Sequence, residues 1–188
     1  MMAAVSPAAA PVMPPPGLEA ALSYPFIGEL VAAAQADRVA WIVTTKGVRN
    51  IWTATSPSFR AIQLTRSVED DGQELTGLQL SPDGARATWV RGGDHDANWQ
   101  AEGGLQPNPA SATDQPKMVV WSVTTAGGAP TRIDEGDAPE INADGRIAYI
   151  KDGAVWSANA AGVDKPQQLF ADKGKDSEIA WSPDGTRL

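Results

Sequence analysis

One turn recurs along the chain and limits what it can become. Ser81-Pro82-Asp83-Gly84, followed by Arg86 and Trp89, returns as Ser182-Pro183-Asp184-Gly185 with Arg187, and Asn142-Ala143-Asp144-Gly145 precedes Arg146 and Tyr149 in the same way. Ser or Asn at the first position bonds back to the backbone, Pro82 and Pro183 pre-set φ, and Gly tolerates the exit conformation. Apolar strands enter and leave such a turn. The last copy reaches Leu188 before its next large residue, so the chain is expected to be a fragment of a longer array.

The strands themselves repeat. Arg38 to Trp41, Arg86 to Trp89 and Arg146 to Tyr149 share an R-x-x-aromatic spacing, each aromatic lying in an apolar run. A second set follows at Ile51-Trp52-Thr53, Val120-Trp121-Ser122 and Val155-Trp156-Ser157. A third closes each unit: Leu64 and Ile133 stand 12 residues after Trp52 and Trp121, and Leu169 stands 13 after Trp156. Asp152-Gly153, a favoured two-residue hairpin connection, joins the first two sets in one unit, with Lys46-Gly47 in the corresponding place earlier. Ala126-Gly127-Gly128-Ala129-Pro130 turns the chain into a last strand.

Each unit thus reads as four antiparallel strands. Asp144 and Asp184 are 40 residues apart, the period of a β-propeller blade. The expected fold is all-β: a partial propeller with blades at about 26–66, 75–135 and 138–172 and the start of a fourth. Asp83 and Asp144 are 61 apart, and the surplus is an insertion of 21 to 25 residues between the second and third strands of the second blade, roughly 91–117. The first blade lacks the S-P-D-G start, and Gly28 to Arg38 reads either as a first strand or as a short Ala-rich helix.

Composition excludes several classes. With 18 Gly, 15 Pro and 7 Trp among short Val/Ile/Thr stretches, an all-β array is favoured over a bundle. A formal charge of -8 opposes a nucleic-acid footprint. The absence of cysteine removes disulfides and thiolate chemistry, and no apolar run approaches the roughly 18–20 residues of a membrane span. Residues 1–24 are Ala/Pro-rich at their start and read as an unstructured leader, leaving 25–188 as the propeller. Ala8-Ala9-Ala10 leaves open the end of an export signal, hence a periplasmic or secreted location, against a plain leader on a cytoplasmic protein.

Six tryptophans (Trp41, Trp52, Trp89, Trp121, Trp156 and Trp181) occupy strand or turn-flanking positions and are expected in the core. Trp99 lies instead in the insertion, beside Asp94, His95, Asp96, Asn98 and Glu102. Asp94-His95-Asp96 lacks spaced partner ligands, so neither a metal nor a cofactor is expected. Two readings of this loop stay open: a solvated excursion, or a loop projecting into a substrate cavity, where Asp94, His95, Asp96, Trp99 and Glu102 contact a cationic amine. No G-x-S-x-G elbow or Walker loop occurs, and no catalytic residue is assigned.

The S-P-D-G blades, Glu69-Asp70-Asp71-Gly72-Gln73-Glu74-Leu75 before the first such turn, Val90-Arg91-Gly92-Gly93-Asp94 after it, and Gly47-Val48-Arg49-Asn50-Ile51-Trp52 together resemble the N-terminal propeller of prolyl oligopeptidase-family serine peptidases, of the bacterial dipeptidyl and acylaminoacyl branches. The resemblance implies a propeller that caps an α/β-hydrolase domain and restricts access to short peptides. The Ser-Asp-His triad would belong to that domain, so the peptide substrate would be met through residues outside this chain. Dipeptidyl members hold the substrate's amino terminus with a glutamate pair on a propeller insertion; Glu102 stands in a comparable insertion without an adjacent Glu. Tol-system propellers carry the same turn, and a stand-alone propeller that binds proteins or small ligands is the alternative.

Overall fold

In the computed structural model, residues 17–92, 117–170 and 173–188 are described. They form twelve strands in three four-stranded antiparallel sheets, each in sequential order. The chain is a partial propeller. The first blade is β1 (Phe26–Ala32), β2 (Arg38–Thr45), β3 (Val48–Thr55) and β4 (Ile62–Gln63). The second is β5 (Leu75–Leu80), β6 (Arg86–Arg91), β7 (Val119–Thr124) and β8 (Thr131–Glu135). The third is β9 (Asp137–Ile141), β10 (Arg146–Lys151), β11 (Ala154–Asn159) and β12 (Gln167–Phe170). Of the two readings of 28–38, the strand is realised: β1 runs through Ala32 and pairs with β2. A short helix, α1 (Leu18–Leu22), lies within the stretch expected to be an unstructured leader.

Local chemistry accounts for the hairpins. In the S-P-D-G turn Ser81 Oγ donates to Asp83 Oδ1 (2.6 Å) and accepts from Arg86 N (3.0 Å), while Gly84 adopts φ 69°. Asn142 Oδ1 replaces that hydroxyl by accepting from Asp144 N and Arg146 N (3.1 and 2.9 Å). Ser182 repeats the Ser81 pattern with Asp184 and Arg187, although no strand forms around it among the described residues. Lys46-Gly47 and Asp152-Gly153 have positive φ at both positions, as two-residue hairpins require.

The two aromatic sets turn out to be direct partners. Trp41 pairs with Trp52, Trp89 with Trp121, and Tyr149 with Trp156. Since side chains alternate across a strand, each pair lies on one face of its blade. In the second and third blades that face packs on the preceding blade. Trp89, with Trp121 against it, joins Ala40, Ile42, Ile51 and Leu64 of the first blade in one core cluster. Tyr149, with Trp156 against it, joins Val90, Val120 and Ile133 of the second blade in another. Trp41 and Trp52 have no blade before them among the described residues. Their strand neighbours Ile27 and Leu30 are 55% and 69% exposed.

Two expectations need correction. Of the six tryptophans assigned to the core, only Trp89 is buried; Trp41, Trp52, Trp121, Trp156 and Trp181 are half-buried. The inter-blade layers set one large aromatic, Trp89 or Tyr149, against smaller residues such as Ala40 and Ile51 or Val90 and Val120, and leave the tryptophan of the next strand at their margin. The third repeated set, at the last strands, is likewise uneven. Leu64 and Ile133 are buried, while Leu169, one residue out of step, is 45% exposed.

Candidate functional site

Asp94, His95, Asp96, Trp99 and Glu102 all lie outside the described residues, as does 93–116 altogether. The ends of that insertion are described, and the acidic segment before β5 anchors one of them. Arg91 closes β6 and pairs with Asp71; Gly92 N donates to Glu74 O (3.1 Å). Gly92 takes φ 105°, and a Cβ there would stand 2.2 Å from Lys117 O, so only glycine lets the two ends of the insertion meet. Lys117 Nζ bonds both carboxylate oxygens of Glu135 at 2.9 Å. That hydrogen bond holds the Glu135 carboxyl below its ordinary range. The E-D-D-G-Q-E stretch is therefore the clamp on one root of the insertion, a role its sequence did not announce.

Beside this root, two wedges open between neighbouring blades. In the wedge between the second and third, Asp134 at the end of β8 accepts from Tyr149 Oη (2.8 Å) and from Lys151 Nζ (2.9 and 3.0 Å). Lys151 Nζ also lies 5.1 Å from the centroid of the Trp156 ring. Burial pushes the Asp134 carboxyl up, but the hydrogen bonds from Lys151 and Tyr149 outweigh it and leave the group below its ordinary range. Burial, reinforced by Asp134, raises the Tyr149 phenol far above its usual range, so it is a fixed donor. The wedge is closed by its own carboxylate.

The wedge between the first and second blades is open. It is a cleft of about 340 Å³ lined by Thr65, Arg66, Ser67, Leu75, Trp89, Arg91, Trp121 and Pro130. Thr65 Oγ1 accepts from Ile51 N (2.8 Å) and donates to Asn50 Oδ1 (3.0 Å), so its hydroxyl is spent on the first blade. Trp89 Nε1 is buried with no hydrogen-bond partner among the described residues. Arg66 is exposed and enters no ion pair among them. Sequence reasoning passed over Arg66 and Asp134. The only sequence signal of Asp134 is its distance from the preceding tryptophan, 13 residues, which Thr65 shares; Arg66 stands one residue beyond that position.

Other contacts bind the blades without forming a site. Glu29 accepts from Gly77 N and Leu78 N (3.1 and 2.7 Å), linking β1 to β5. Arg86 Nη1 donates to Ala160 O (2.9 Å) across to the third blade. Trp181 Nε1 donates to Glu140 O (3.0 Å), laying the final segment against β9.

No family model matches the sequence, and no curated protein matches it. Solved structures do match in shape. A prolyl endopeptidase superposes with a TM-score of 0.50 at 11% identity over 87% of this chain. An acylaminoacyl peptidase, solved with Z-Gly-Gly-Phe-chloromethyl ketone, gives 0.51 at 12% identity over 77%. The chain spans about 25% of the length of each. At such identity the likeness establishes the propeller fold alone.

Proposed function

We propose that this propeller is the substrate-gating part of a serine peptidase that cleaves short peptides, the acyl-transfer groups being supplied by an α/β-hydrolase domain of the parent polypeptide. The observation that carries the reading is the three-blade shape shared with two peptidases, together with the acidic clamp at the root of an insertion confined to one blade. A propeller limits such a site by size, since a peptide must pass the ring or its edge.

Within this reading the carboxylates of Asp94, Asp96 and Glu102 take the free amino terminus of the substrate, beside Trp99 and His95. A desolvated carboxylate–ammonium contact is worth about 1.5–3 kcal/mol, so losing one lowers kcat/KM by roughly 10- to 100-fold. The test uses the product of the full reading frame that contains these residues. It should label with a serine-directed fluorophosphonate and hydrolyse dipeptidyl or acyl-aminoacyl chromogenic substrates, while residues 1–188 expressed alone should not. Asp94→Asn, Asp96→Asn and Glu102→Gln in that parent should slow free-amine peptides and spare acetylated ones. A reading frame without a hydrolase domain would leave a stand-alone binding propeller; equal effects on both substrates would remove the amine contact and leave gating intact.

A further inference from the structure

The two inter-blade wedges are built to one pattern and filled differently. Trp89 and Tyr149 hold the same place in their blades, each paired with the tryptophan of the next strand. Arg91 and Lys151 each stand two residues further on, at the end of β6 and of β10. Thr65 and Asp134 match in turn, by their common distance from Trp52 and Trp121. In the closed wedge, Asp134 meets the aromatic donor and the cation at once. In the open one the carboxylate is missing: Thr65 stands in its place, and the donor of Trp89 has no acceptor among the described residues.

We propose that the cleft between the first and second blades binds an external monocarboxylate with an apolar body, its carboxylate taking the position that Asp134 holds one blade on. Arg66 supplies the charge, because Arg91 is already matched by Asp71 at the cleft wall. Leu75, Trp121 and Pro130 offer the apolar surface. A volume of about 340 Å³ stands at the small end of ligand pockets, roughly 300–1,000 Å³, which suits a single ring or short chain. Trp89 lines the cleft and its Nε1 is buried, so the ligand first meets exposed Arg66, and pairing with the indole N–H requires the side chains around Nε1 to shift. A buried donor left unpaired is costly, and an incoming acceptor relieves it. The carboxylate belongs either to a free organic acid or to the C-terminus of a short peptide. The inference does not depend on peptidase function.

Indole ¹⁵N–¹H spectra of the whole 188-residue chain test it. The Trp89 signal, assigned sequentially and by its loss in Trp89→Phe, should move saturably with phenylacetate or with acetyl-Gly-Phe, and not with phenylacetamide or the amidated peptide. Whichever carboxylate binds more tightly identifies the source. Arg66→Gln, at an exposed position that folding does not use, should weaken binding about 10-fold, or about 1.4 kcal/mol. Thr65→Asp, if its melt shows a folded protein, should abolish binding by filling the wedge from within. Equal response to acid and amide, no movement of the Trp89 signal up to about 10 mM ligand, a concentration range that reaches millimolar Kd, or unchanged affinity in Arg66→Gln would each overturn the proposal.

Discussion

Asp134 joins two blades through one carboxylate. Its oxygens are committed to Tyr149 and Lys151, and its side chain is only 15% exposed. Asp134→Asn keeps the shape but gives up the charge, and should destabilise the chain by about 1.5–3 kcal/mol at neutral pH, the usual range for hydrogen bonds to charged groups. The sign of the pH dependence follows from the lowered folded pKa. The contribution is fully present above the unfolded value, about 3.9, and is lost as pH falls through the folded one. Urea melts of wild type and variant should therefore differ at pH 7 and converge well below pH 4. A gap that persisted in strong acid would show that the charge is not what matters. The turn residues act at the same scale but are local: Ser81 and Asn142 satisfy equal backbone donors with different side-chain oxygens.

Among the elements, the first and last strands of the blades carry the irregularities: pairing slips between β7 and β8 at Val120/Trp121 and between β11 and β12 at Val155/Trp156, and in all three first strands as well. Register shifts interrupt the pairing of β1 at Gly28/Leu30, of β5 at Thr76/Gln79, and of β9 opposite Ala148/Ile150. The two latter bulges place a residue in the left-handed region, Gly77 at φ 58° and Ala138 at φ 48°. Only the first of these is glycine. A Cβ at Gly77 would also meet Pro139 Cδ at 3.3 Å, tying the bulge of one blade to that of the next. Gly77→Ala should cost about 1–2 kcal/mol, the penalty of a left-handed alanine, whereas Ala138→Gly should be neutral or stabilise by up to about 1 kcal/mol. Denaturant midpoints measure both. A neutral Gly77→Ala would mean that β5 relaxes its bulge instead of bearing the strain.

Across the whole molecule, the blades repeat but their surroundings do not. The aromatic faces of the second and third blades are covered by the blade before, and the face carrying Trp41 and Trp52 is not covered among the described residues. With Ile27 and Leu30 beside them, these side chains make an apolar surface of the kind that binds partners or aggregates. The expressed chain should bind a hydrophobic dye in its folded state, and Leu30→Lys with Ile27→Lys should reduce both dye fluorescence and light scattering without lowering the melting temperature. If the double variant leaves dye binding unchanged, the accessible apolar surface lies elsewhere.

What the sequence determined alone is the part whose causes are adjacent in the chain. The S-P-D-G and N-A-D-G turns and the Asp152-Gly153 hairpin rest on neighbouring residues, so their spacing and that of the aromatic sets reveal three blades, while the direct pairing of Trp41 with Trp52 came from the structure. Burial has no such local cause. Trp89 and Trp41 occupy equal positions, yet one is 2% exposed and the other half-buried, because among the described residues only Trp89 has a blade in front of it. The candidate loop was legible as an insertion through the 32-residue gap between Trp89 and Trp121, while its acidic clamp was not, since Asp71 reaches Arg91 only once β5 and β6 have paired. The wedges were hidden for the same reason. Asp134, Tyr149 and Lys151 converge from two sheets, and the open cleft arises because Thr65 leaves a space that only the packing of the first blade on the second encloses.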